Sequence, residues 1–197
     1  RRIGAYAFCG CVFLEEICLP DFVTSIEWGT FEGCTSLKTV GLPVCLKEIE
    51  GGAFNDCKSL MDVDIPDSVE NIDCEAFEGC SSLENVHLSD SLTSMGSHAF
   101  YGCASLRSIC LPDSVTEIND SVFSGCASLL EMRIPDSVSK IGEFAFYQCT
   151  SLRKVVIPDS VTKIGDRAFE GCCPTCFEVD EGNEFYESID GRLAEKN

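Results

Sequence analysis

The chain has 197 residues, 45% of them hydrophobic, enough for one domain or one repeat array with a continuous core. Its formal net charge of −19 excludes general nucleic-acid binding, which needs a basic surface, and favours solubility and basic partners. No run approaches the ~20 apolar residues of a membrane span. From Ile3 onward one pattern returns every 23 residues, the mark of a solenoid.

The pattern is clearest in Ile141–Lys163 and holds in every column. Phenylalanine occupies 8, 31, 54, 77, 100, 123, 146 and 169, and cysteine 11, 34, 57, 80, 103, 126, 149 and 172. Leucine occupies 14, 37, 60, 83, 106, 129 and 152. Taken in chain order, each unit opens on Ile-Gly, a short extended segment. Ala-Phe-x-Gly-Cys then predicts a helical or 3-10 turn closed by glycine. Leu-x-x-Val-x-Ile alternates as a strand, with its aliphatic side chains inward. Pro-Asp-Ser predicts a turn, in which proline presets φ and the Asp and Ser side chains bond nearby N–H groups. Local departures are Phe22, Val44-Cys45 and Ser89 in the turn, and Asp56 and Gln148 in place of the glycine before the ladder cysteine.

Fifteen cysteines suggest a disulfide scaffold only if irregularly spaced, and eight are periodic. Stacked turns lie ~4.8 Å apart. That is within disulfide range, but pairing neighbours pinches alternate turns. The expected state is a buried free-thiol ladder, with cysteine as a small hydrophobe. After Cys176 the period stops, and Asp190-Gly191 predicts a hairpin turn. The division is residues 1–176 as the repeat array and 177–197 as a capping or array-joining segment. The chain lacks an initiator methionine and residue 1 falls inside a repeat, so we expect it to be a piece of a longer protein.

These motifs resemble the BspA-like, or treponemal-class, leucine-rich repeats over about residues 1–176. The resemblance implies a strand-rich α/β leucine-rich repeat solenoid. About eight turns are expected, with a parallel sheet on one face, short 3-10 or helical turns and a C-terminal cap. The string from Asn183 through Tyr186 and Ser188 to Leu193 is similar to the segment that closes or joins arrays in this family. The resemblance also implies attachment proteins at the cell surface or secreted, contacting other proteins.

One exposed strand column reads Cys18, Gly41, Asp64, His87, Cys110, Arg133, Val156. Asp64, His87 and Cys110 have the order of acid, base and nucleophile, and with Asp62 they supply zinc-type ligands. No pocket or oxyanion donors are visible in the sequence, so neither a catalytic nor a metal site is assigned. Cys173-Pro174-Thr175-Cys176 has no βαβ unit around it and reads as structural, at the array's end. Asp180–Glu184 has oxygen ligands without the spacing of a calcium loop. His98 reads as a solvated turn residue, and Trp28 as an exposed or locally packed one.

Charge divides the exposed strand positions. Glu15, Glu16, Lys38, Asp62, Asp64 and Glu84 give five acids and one base, net −4. Arg107, Glu131, Arg133, Arg153 and Lys154 give four bases and one acid, net +3. The function read from this is a non-enzymatic scaffold that binds a protein partner through its strand face. Its contact residues are Arg107, Arg133, Arg153, Lys154, Asp62, Asp64 and His87, and no cofactor is implied. The alternatives are an intracellular scaffold or assembly subunit of a larger complex, which the many thiols suit, and, behind it, a thiol or metal site at Asp64, His87 and Cys110.

Overall fold

The computed structural model describes residues 3–172 and 176–196. Its 23-residue unit stacks about seven times into a parallel β-solenoid, with no helix among the described residues. Two short strands recur per turn. The first ladder comprises β1 (Glu16–Cys18), β3 (Thr39–Gly41), β5 (Asp62–Asp64), β7 (Asn85–His87), β10 (Glu131–Arg133), β12 (Lys154–Ile157) and β14 (Cys176–Val179). The second comprises β2 (Ser25–Ile26), β4 (Glu48–Ile49), β6 (Asn71–Ile72), β8 (Ser94–Met95), β9 (Glu117–Ile118), β11 (Lys140–Ile141) and β13 (Lys163–Ile164). A final hairpin pairs β15 (Tyr186–Ile189) with β16 (Arg192–Glu195) antiparallel. The parallel strands pair in the expected 23-residue register, as in Ile17↔Val40, Val63↔Val86 and Met132↔Val155.

The segment carrying phenylalanine folds differently from a helical turn. Its amides alternate between two kinds of acceptor. Gly52, Phe54 and Asp56 donate to Cys74, Ala76 and Glu78 of the next turn, at 3.0, 2.7 and 2.7 Å. Between them, Asn55 and Cys57 donate back within the turn to Gly52 and Phe54. The alternation requires left-handed backbone. The glycine before the ladder cysteine adopts it, as at Gly79 with φ 70°, and so do its replacements Asp56 and Gln148 at 58°. A second left-handed position, four residues earlier, is held by Glu75, His98, Ser121, Phe144 and Arg167. A 3-10 helix has no such residues, so the expected helical turn is absent for this reason.

The core is a stack of columns. Phenylalanines 8 to 169 overlap face to face, with ring centroids 5.1–5.9 Å apart. Phe177 ends the stack edge-on to Phe169 at 5.0 Å and 79°. Beside the rings, the ladder thiols donate to phenylalanine carbonyls one turn back: Cys57 to Phe31 at 3.2 Å, Cys80 to Phe54 at 3.2 Å, Cys103 to Phe77 at 3.3 Å. All the described cysteines are free.

The proline turns close by the amide of the fourth residue on the carbonyl of the first, as in Val69 to Pro66. Ser89 closes the same turn without proline. The turn serines act otherwise than expected. Ser68, Ser114, Ser137 and Ser160 donate to Leu46, Leu92, Val115 and Val138 carbonyls of the preceding turn, rather than accepting from local N–H groups. Cys45 replaces serine and donates its thiol to Val23. Asn183 continues the series by donating to Val161 and Pro158, while its oxygen accepts from Phe185 and Tyr186. Tyr186 then accepts the Ile164 amide with its hydroxyl. The first strand ladder also runs on through Val179, with Val155 facing Phe177 at a 22-residue step.

Replacing Phe100, fully buried, by Ala should destabilise by ~3–5 kcal/mol. Tyr101, 41% exposed, should lose less than half as much on the same change. Urea denaturation measures both, and equal losses would contradict the packing. Thiol labelling of native protein should be slow at Cys57, Cys80, Cys103 and Cys126, which are buried, and fast at exposed Cys110.

Burial holds the inner ladder thiols Cys57, Cys80, Cys103 and Cys126 protonated. It pushes Cys126 up from about 9 to about 12, and Cys80 and Cys103 well above the ordinary value. In the unfolded chain these thiols ionise near their ordinary pKa, so above about pH 9 the native state binds more protons. The contribution of these thiols to stability is therefore fully present below about pH 9 and is lost as pH rises towards 12. Urea midpoints at pH 8, 9 and 10 should decline over the last interval, and less so in a Cys126→Ala variant than in the parent.

Candidate functional site on the strand face

The first strand ladder presents one side chain inward and its neighbours outward, because successive residues alternate across a strand. Val63 is buried in β5, whereas Asp62 and Asp64 beside it are exposed. The same alternation exposes Glu131 and Arg133 around buried Met132. The varied columns therefore form a surface over a uniform core.

That surface is not one continuous sheet. β1 pairs with β3, β5 with β7, and β10 with β12 and β14, with no ladder between the groups. Asp64 stands opposite His87 in register. The turn carrying Cys110 joins β7 only through a bridge between Asn85 and Ser108. The acid–base–thiol row is thus interrupted between His87 and Cys110. Among the described residues, no three His, Cys, Asp or Glu side chains are grouped to hold a metal ion. Cavities lie along the face, one of about 470 Å³ over the paired strands β1 and β3 and others where the ladder opens. One of about 580 Å³ lies between the turns of Gly41 and Asp64. Two smaller ones, of about 310 and 290 Å³, lie on either side of Cys110.

Ion pairs tie much of the face internally. Lys38 binds Glu15 at 2.6 Å, and Arg107 reaches Glu84 at 3.6 Å. Lys154 binds Glu178 at 3.0 Å, a carboxylate that β14 adds to the basic end. Asn85 donates to Asp62 at 2.7 Å. Arg133 and Arg153 remain exposed, without an ion pair among the described residues. The Glu15–Lys38 bond holds the Glu15 carboxyl below its ordinary range, and the Glu178 carboxylate raises the Lys154 ammonium.

The other sequence candidates lie elsewhere. Trp28 is 47% exposed and its ring covers Gly51, where a Cβ would clash with it. His98 is half-buried rather than solvated, its ring 5.4 Å from that of Tyr101. Asn183 is buried and its side-chain oxygen is spent on backbone amides, which removes it from any calcium site. Of the C-x-x-C stretch, Cys173, Pro174 and Thr175 lie outside the described residues, and Cys176 is exposed on β14. Half-buried Cys172 ends the thiol ladder, and hydrogen bonding to Cys149 lowers its pKa below the ordinary thiol value. Gly41 and Val44, which line the largest of these cavities, carried no functional reading in the sequence. The only signal was the departure from the repeat at Val44.

The family described as "BspA type Leucine rich repeat region (6 copies)" matches residues 1–130 and 48–176. The chain belongs to this family. Its repeats are similar to the leucine-rich repeat protein TpLRR of T. pallidum, at 33% identity and a TM-score of 0.69, covering 88% of this chain and 71% of that one. They are also similar to a leucine rich cell surface protein of Faecalibacterium prausnitzii A2-165, at 27% identity and TM-score 0.62, over 91% of this chain and 69% of that one. A leucine-rich repeat protein of Eubacterium ventriosum ATCC 27560 aligns at 26% identity and TM-score 0.62, over 72% of this chain and 38% of that one. No curated protein sequence matches significantly. The BspA-type repeat is thus the frame for these cavities and charges, and such repeats typically serve as protein-interaction modules. Among the described residues, no helix is long and apolar enough to cross a membrane.

Proposed function

We propose that this BspA-type array is a non-enzymatic recognition scaffold that holds a protein partner on its strand face. The observation that carries the reading is the division of labour within each turn. Inward columns repeat almost without change and are buried, while the outward columns vary freely and are exposed. Arg107, Arg133, Arg153 and Lys154 form its basic end, and Asp62, Asp64 and His87 its acidic part. The basic end meets an acidic segment of the partner, with arginine forks holding carboxylates. Residues 177–197 close the array, as their hairpin and the Asn183 bonds suggest. A surface-exposed location is supported by the likeness to a bacterial cell surface protein.

A second reading, an intracellular assembly subunit, is favoured by the exposed thiols Cys9, Cys11, Cys18 and Cys110, which suit a reducing compartment. Counting free thiols in protein purified from its native source separates the two.

Capture from native material tests the face. Reversing Arg107, Arg133 and Arg153 to Glu should abolish capture while leaving the far-UV circular dichroism unchanged, since all three side chains are exposed. Salt at about 0.5 M should weaken the wild-type complex, because screening at that strength acts over less than ~10 Å. A triple variant that binds as wild type places recognition outside this face.

A further inference from the structure

We infer that the cavity between the turns of Gly41 and Asp64 receives a long cationic side chain, arginine or lysine, from the protein partner. The inference rests on the strand face being the recognition face and names what its acidic part takes.

Two residues of one turn make this cavity, Gly41 in the varied strand column and Val44, a departure from the repeat. Gly41 leaves the outward strand column without a side chain, and Val44 puts an apolar group, 79% exposed, where the turn otherwise carries aspartate. With the ladder open between β3 and β5, the space amounts to about 580 Å³, ample for one side chain.

The lining selects the chemistry. Val44 and Pro66 offer apolar wall, and Asp64, Asp67 and His87 stand beside it. No lysine or arginine lines the cavity. The nearby bases Lys38 and Lys47 are already bound to Glu15 and Glu70, at 2.6 and 2.8 Å. Asp64 and Asp67 therefore have no ion-pair partner among the described residues. An aliphatic stem lies along the apolar wall while its charged head meets two carboxylates, the way long basic side chains bury their stems. The cavity beside Cys110 is lined by Asp113 and Glu131 but also by the Arg133 guanidinium, which offsets one of the two carboxylates, so it holds the same guest less well.

Amide chemical shifts of the isotope-labelled chain, titrated with acetylated arginine amide and lysine amide, test this directly. Saturable shifts should appear at residues 40–44 and 64–68, with affinity in about the millimolar range. Acetylated glutamine amide, equally polar but uncharged, should produce none. Asp64→Asn with Asp67→Asn should weaken binding about tenfold, the worth of one charge-assisted contact. Glu16→Gln with Glu48→Gln removes equal charge outside the cavity and should leave binding unchanged. Equal weakening in both variants, equal shifts at residues 108–113, or a response to the glutamine amide would overturn the inference. The titration uses no partner. Cation binding in a chain whose arginine-reversed variant still captures its partner would therefore sink the face assignment and not the cavity.

Discussion

The backbone hydrogen bond passing from each turn to the next is the constraint on which everything else in the molecule depends. In the phenylalanine segment every second amide spends its proton on the following turn, and the amides between close locally. The pattern satisfies buried backbone without helix or regular strand, which a solenoid corner must do, since unpaired buried amides cost heavily. It also accounts for cysteine. The Phe54 carbonyl already accepts the Cys57 amide and has one lone pair left, which the Cys80 thiol takes. A residue there must be small, apolar in bulk and able to donate once. Cysteine meets all three conditions, and its burial keeps the proton in place.

Because the turns are locked in register, no variation in cross-section is tolerated inside. An inserted residue would misalign phenylalanine, thiol and serine ladders together. Sequence freedom is displaced outward onto the strand face and the turns. This is why chemically distinct features such as Arg133, His87 and Gly41 fall in one exposed column. The face gains rigidity from the core beneath it, which lowers the entropic cost of holding a partner. Ion pairs occupy Glu15, Lys38, Glu84, Arg107 and Lys154 on this face, while Glu16, Asp64, Glu131, Arg133 and Arg153 have none among the described residues.

The period, the inward columns and the parallel register were legible in the sequence because each core residue type recurs at fixed spacing. The left-handed positions were only half legible. Glycine marks most of the positions before the cysteine, but the companion is glycine only at Gly29 and Gly52 and is otherwise Tyr6, Glu75, His98, Ser121, Phe144 and Arg167, which share no chemistry. That backbone is imposed by the hydrogen bonds to the next turn, not by local preference, so no residue type advertises it. The continuation past Cys176 was hidden by a one-residue deletion that shifts Phe177 and Val179 to a 22-residue step. At the surface, Asp64 beside His87 followed from the period. The interruption before Cys110 did not, since it depends on how closely adjacent strands approach.

Departures from the repeat fall into two physical kinds, and the distinction bears on function. Asp56 and Gln148 sit where glycine is easiest, and the backbone keeps its left-handed form regardless, at a cost of ~1–2 kcal/mol each. Ser89 replaces proline and still closes its turn, its hydroxyl accepting the Ser91 amide. These changes are absorbed by the ladder and leave the outline of the molecule as it was. Val44, with Gly41 of the varied column beside it, is the other kind. They leave the core columns intact, since Leu46 and Ile49 remain fully buried, and alter only what the turn shows to solvent. In a fold whose interior admits so little change, a pair of substitutions that costs the core nothing and opens a bounded, charged space is where selectivity can be written.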